Sequence, residues 1–190
     1  MKYPHWQYYK SMLRDLDTLS RYVEISPDNY RTYSIELTRL LLSAGSEIDV
    51  VAKLLCKAVD AEAAPDNINK YQEILTRKLP GLPEVEVTLP KYLISFKPWL
   101  DWLKGRTPEW WSCYNKVKHD RSQHFREANL ENVLLATAGL CVLVSYLYYE
   151  DLNSKLIGIT PLFMFLDQKY RTGGIKVLVK GQFVLTDFEE

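Results

Sequence analysis

Histidine and cysteine are scarce in this chain, at three residues each among 190. Cys56, Cys113 and Cys141 are odd in number and far apart. They form neither a disulfide framework nor a CxxC metal knuckle, and read as reduced thiols packed inside the fold of a cytoplasmic protein. Charge of one sign is also lacking: Lys+Arg and Asp+Glu both number 24, so the formal net charge is zero. That excludes a polybasic coat around nucleic acid, which requires a global cationic excess. Hydrophobic residues make up 47% of the chain, which excludes wholesale disorder. Low-complexity tracts, internal repeats and long Ser/Gly linkers are missing, so a single domain over residues 1–190 is expected. No P-loop, GxGxxG or GxSxG is found, and Thr172-Gly173-Gly174 lacks the ending of a phosphate-cradling loop and reads as a turn. The start, Met1-Lys2-Tyr3-Pro4-His5-Trp6, has no apolar stretch, so a secretory signal is not expected there.

One long uncharged run is present, from Asn132 to Tyr149. Its length approaches a membrane span. Thr137, Gly139 and Ser145 interrupt it, Glu131 and Glu150 bracket it, and no Lys/Arg cluster sets a topology. It reads as the central helix of a bundle rather than as a membrane segment.

The apolar periodicity elsewhere is helical. Trp6, Tyr9, Leu13, Leu16 and Leu19 define one face of a first helix over residues 6–21. Ser26 and Pro27 read as N-cap and N1 of a second, long helix carrying Tyr30, Tyr33, Leu37, Leu41, Ile48 and Leu55. Gly45 interrupts that pattern and suggests close packing or a slight kink. Asp66 reads as the cap of a third helix ending at Leu79. Val85, Val87 and Leu89 alternate with polar residues as in a strand, with Leu93–Phe96 as partner. Pro98 to Leu103 forms an aromatic corner suited to packing. Thr107 and Pro108 repeat the cap signature and open a helix to about Asp120. Residues 121–126 form a polar break, and 127–151 the apolar helix. Ile175–Val179 and Gln182–Leu185 suggest a hairpin across Lys180-Gly181. The expected fold is mainly α: a helical bundle over about 6–151 and a β-rich tail over about 160–188.

The densest polar cluster runs from Trp110 to Arg121. Asn115 and His119 are one turn apart and share a helix face. Between Lys104 and Arg126 there are six basic residues and two acidic ones, with His119 and His124 in addition. The cations Lys116, Lys118, Arg121 and Arg126 suit a phosphate backbone, and an imidazole can move a proton near neutral pH. The alternative is a solvated connection in which His119 favours a helix C-terminus. His119, His124 and Glu127 make a poor metal set because i, i+5 spacing diverges on a helix, so no metal or other cofactor is expected. Glu36, Glu47 and Asp49 read as surface or interface charges, one of which is placed to pair with the cationic cluster. The thirteen tyrosines are scattered and suit core and interface packing more than base stacking.

The stretch Tyr114-Asn115-Lys116-Val117-Lys118-His119-Asp120-Arg121, followed by Phe125-Arg126-Glu127-Ala128-Asn129-Leu130, resembles the signature of bacterial HEPN-like proteins. The resemblance is specific over that stretch and looser over the preceding long helix, around Ser46-Glu47-Ile48-Asp49. It implies a bundle of four to five helices, commonly a homodimer with the motif near the dimer interface. It further implies RNA or a nucleotide as ligand, an antitoxin or another protein as partner, and no membrane. Members include metal-independent RNases of toxin–antitoxin and defence systems, and inactive dimerisation or binding modules. In the active pattern an arginine precedes the polar residue and the histidine. Asn115 and His119 match the latter two, but Tyr114 stands where the arginine is expected. Arg121 is the cation closest to hand as a substitute, acting with His119 and Asn115.

Overall fold

The computed structural model describes residues 2–152 in full, together with the backbone of 153, 165–166, 177–179 and 182–184. Four helices dominate: α1 (Pro4–Leu19), α2 (Ile35–Val59), α4 (Glu109–His119) and α6 (Leu130–Leu147). The longest, α2, lies along α6, and α1 and α4 flank that pair. A fifth helix, α3 (Ile68–Lys78), packs on α2. Two short helices, α5 (Arg121–His124) and α7 (Tyr149–Asn153), complete the set among the described residues. The protein is mainly α, as its periodicity predicts.

The uncharged run is the core. Among the described residues, α6 is the one helix long and apolar enough to cross a membrane, and 78% of it is buried inside the fold. Its apolar side chains cover nearly the whole circumference because α1, α2, α4 and strand β1 (Val87–Leu89) surround it. Each Leu or Val sealed in this way contributes about 1.5–3 kcal/mol relative to exposure.

The start of α2 differs from expectation. Ser26 and Pro27 open only a 3-10 turn, Pro27–Asn29, and the Ser26 side chain caps nothing. The helix begins eight residues later, where the Ser34 hydroxyl accepts the N–H of Leu37 at 3.1 Å. The reason is tertiary. Leu130 N–H donates to the carbonyl of Thr32 at 2.9 Å, and Glu131 N–H to that of Tyr30 at 3.2 Å. Residues 30–33 therefore serve the open N–H groups of α6 instead of joining α2. Asn129 completes this cap, its side chain accepting from Asn132 N–H at 3.0 Å. An antiparallel bridge pairs Tyr33 with Asn129.

Two further caps are displaced by one residue. Asn67, not Asp66, caps α3 by accepting the N–H groups of Asn69 and Lys70. Pro108, not Thr107, is the N-cap of α4, while the Thr107 hydroxyl donates to Asn69. The strand reading holds: β1 (Val87–Leu89) pairs antiparallel with β2 (Ile94–Phe96), and Pro90 lies in the turn between them. A third strand, β3 (Phe165–Leu166), joins the other edge of β1. The expected hairpin is β4 (Val177–Val179) against β5 (Gln182–Val184). Thr172-Gly173-Gly174 and the Lys180-Gly181 turn lie outside the described residues.

The aromatic corner packs as expected. Trp99 contacts Trp102 and Trp110 at centroid distances of 4.2 and 5.0 Å, and the Trp99 indole N–H donates to the Gly139 carbonyl at 3.2 Å. Trp110 donates to the carbonyl of Pro98 at 2.9 Å. These indoles seat the N-terminal half of α4 against α6.

Candidate functional site: the basic face of α4 and α5

The polar cluster begins on α4, where burial divides the helix in two. Trp110, Trp111, Cys113, Tyr114 and Val117 face the core. Lys116, Lys118 and His119 are exposed, and Asn115 is half-buried. Cations in the last turn meet the negative end of the helix dipole, which favours this placement by itself. His119 is the last residue of α4, and its ring has no hydrogen-bond or ionic partner among the described residues. Its nitrogens are therefore open to a ligand.

Tyr114, at the position where the resemblance expects arginine, is a packing residue. It is 3% exposed. Its ring lies directly on Gly45 of α2, and a Cβ built on that glycine overlaps the ring. Gly45 is thus a point of close helix approach, one of the two roles its position suggests. Trp111 backs the ring at 5.1 Å between centroids, and the Lys118 ammonium lies 5.6 Å over it. An arginine in this orientation would bury an unpaired guanidinium.

Arg121 opens α5 immediately after α4. The turn between them is fixed by Asp120, whose carboxylate accepts from the Ser122 hydroxyl at 2.6 Å and from Gln123 N–H at 3.3 Å. These hydrogen bonds hold the Asp120 carboxyl below its ordinary range. One of the two acidic residues in the segment is thereby occupied locally. Of the six cations between Lys104 and Arg126, only Arg106 forms an ion pair among the described residues, with Asp101. Lys116, Lys118, Arg121 and Arg126 are all exposed. Asn115 and His119 share a face of α4, and Arg121 follows on the next helix with no hydrogen bond joining it to either.

Glu36, Glu47 and Asp49 do not pair with this cluster. Glu36 meets Arg39, Glu47 meets His5 at 2.6 Å, and Asp49 accepts from Tyr71 and Lys53. His119, His124 and Glu127 do not converge, and no group of three potential metal ligands occurs among the described residues.

Two features had little sequence signal. Behind α4 lies a cleft of about 360 Å³, lined by Arg31, Lys97, Glu109, Cys113, Glu127 and Glu131 among others. Cys113 donates its thiol hydrogen to Glu127 at 3.3 Å. Burial, then the Glu127 carboxylate, push this thiol up to about 11, so it is protonated and unreactive at neutral pH. The second feature is an aromatic group beside the cations. Tyr33 packs edge-on against Phe125 at 5.4 Å, and the Arg126 guanidinium lies 5.9 Å over the Tyr33 ring. Tyr33 is 41% exposed, unlike most of the scattered tyrosines.

Comparison of the chain with protein-family models, curated proteins and solved structures returns no match. The site defines a mainly α protein with a run of exposed cations along α4, α5 and the turn that follows.

Proposed function

We propose that this chain is an HEPN-like RNA-binding protein of a bacterial defence or stress system, working in the cytoplasm. The observation that carries the reading is the set of exposed cations around His119 that have no internal ionic partner among the described residues. An unpaired surface cation keeps its full Coulomb attraction for an external phosphate. Lys116, Lys118, Arg121 and Arg126 are the phosphate contacts in this reading. A homodimer built near the motif, and a protein partner such as an antitoxin, follow from the same resemblance.

Non-catalytic binding is the form best supported, because Tyr114 is committed to the core and supplies no fixed cation at a scissile phosphate. The open ring of His119 supports a second reading, a metal-independent endoribonuclease. There His119 takes the proton of a ribose 2′-hydroxyl, and the 2′-oxygen attacks the adjacent phosphorus. The bond to the 5′-oxygen breaks and that oxygen takes a proton from water or from the His119 imidazolium, leaving a cyclic phosphate and a 5′-hydroxyl. Arg121 or Lys118 stabilises the charge, and Asn115 orients the imidazole or a ribose hydroxyl.

The test is RNA binding followed across salt concentration, with cleavage assayed in the absence of metal beside His119→Ala. Four phosphate contacts give a slope of log affinity against log salt of about −3. Binding without turnover supports the non-catalytic form, and cleavage lost in His119→Ala supports the nuclease. No salt-dependent binding refutes both.

A further inference from the structure

We propose that Tyr33, Phe125 and Arg126 form a stacking platform for an unpaired nucleobase, which makes the ligand of the basic face single-stranded RNA. The inference rests on the RNA-binding reading above and adds the recognition of bases to that of phosphates.

The platform is held by backbone, not by its own side chains. The bridge between Tyr33 and Asn129, with the Leu130-to-Thr32 hydrogen bond, fixes Tyr33 beside the turn that carries Phe125 and Arg126. Tyr33 and Phe125 meet with their planes at 84° and their centroids 5.4 Å apart, so the two rings are perpendicular and neither stacks flat on the other. Tyr33 as a residue is 41% exposed, and Ile35, two positions on, is 70% exposed. The guanidinium lies 5.9 Å over one face of the ring, so a base stacks on the opposite face or on the guanidinium plane itself, with a cation at the same place. That combination suits a base and its flanking phosphate. Duplex RNA keeps its bases stacked inside and presents sugar and phosphate, for which cations alone suffice. Chain continuity links the two parts: Arg121 and His124 on α5 run directly into Phe125 and Arg126. The abundance of cations favours a polyanion on these side chains, since a second copy docked cation to cation would bring like charges together, and the homodimer of the reading above therefore uses a neighbouring surface.

The test compares three probes of equal length, about 12 nucleotides: a single-stranded RNA, its duplex, and a sugar–phosphate oligomer without bases. Binding is read by fluorescence anisotropy on the full chain. The single strand binds more tightly than the other two, by about tenfold for one stacked base. Tyr33→Ala removes that preference by weakening the single strand far more than the baseless oligomer, whereas Tyr33→Phe retains the preference. The double variant Lys118→Ala/Arg121→Ala weakens all three probes and keeps the order. Equal affinity of the wild-type chain for the single strand and the baseless oligomer overturns the platform and leaves the RNA-binding reading standing. So does a preference that survives Tyr33→Ala in a chain of unchanged circular dichroism. Dissociation of a dimer by Tyr33→Ala with no change in affinity assigns the surface to a second copy instead. Failure of the wild-type chain to bind any probe overturns both proposals.

Discussion

The contact between Gly45 and Tyr114 positions the basic face, and one methyl group tests it. In Gly45→Ala the new Cβ overlaps three atoms of the Tyr114 ring. The ring has nowhere to retreat. It is backed by Trp111, which abuts Trp110 at 5.9 Å, and Trp110 abuts Trp99, which abuts Trp102. Overpacking a core that cannot yield costs toward the upper end of about 1–3 kcal/mol. Alanine regains about 1 kcal/mol of helix propensity over glycine. The net expectation is destabilisation by about 2 kcal/mol, read as a lower urea midpoint with an unchanged slope. In a Tyr114→Ala background the obstruction is gone, and Gly45→Ala becomes stabilising by about 1 kcal/mol. The sign reversal corresponds to a coupling of about 3 kcal/mol between the two positions, at the top of the range for residues in contact. Gly45→Ala that is neutral or stabilising in the otherwise native chain refutes the reasoning.

Other measurements check separate parts of the structure. Ser34→Ala lowers stability by about 1 kcal/mol through loss of the Leu37 cap, whereas Ser26→Ala changes it by a few tenths, both read by urea unfolding. The buried thiols make the protein sensitive to alkali: Cys113 and Cys56 are raised to about 11 and about 12 from an ordinary 9.0. Their contribution to stability is complete below pH 9 and is lost as pH rises through the folded values, so Cys113→Ala flattens the stability profile between pH 9 and 11. Glu127→Gln removes a carboxylate that raises the Cys113 thiol, so the pH at which alkylation sets in moves downward.

The parts of the fold that were legible in the sequence are those set by local chemistry. The 3.6-residue apolar period located α1, α2 and α6 because burial on one face, or all round for α6, is written into composition. The alternation at Val85–Leu89 located β1 for the same reason. Errors arose where a distant element competed for backbone groups. Ser26-Pro27 is a valid start signal and does begin a turn, but the carbonyls of Tyr30 and Thr32 are taken by α6, about a hundred residues later. The same contact decides the fate of Tyr33, which helical spacing alone would have placed within α2. The cleft was illegible for a related reason: Cys113 and Glu127 meet only because α4 and the turn after α5 fold back on each other. The cationic cluster itself was legible as a local excess of charge. That most of its cations have no ion pair among the described residues was not, since Asp120 is occupied by Ser122 and Gln123, Asp101 by Arg106, and Glu127 accepts from Cys113.

Tyr114 links the core to the face. Its ring is sealed in the core, yet it supports a cation at the helix surface. Lys118 lies over that ring, so the ammonium is held near the helix surface by a cation–π contact of about 0.5–1 kcal/mol at an exposed site. Arg126 is held over Tyr33 in the same way. Two cations of the face thus rest on aromatic rings, not on carboxylates. A carboxylate partner would cancel the positive charge that a phosphate must find, whereas a ring restrains the side chain and leaves its charge intact. The zero net charge of the chain is therefore compatible with a polyanion site, because the balancing carboxylates lie elsewhere or serve other donors. Cations held this way keep their charge available to an external anion, and Tyr114, sealed in the core, is the residue over which Lys118 rests.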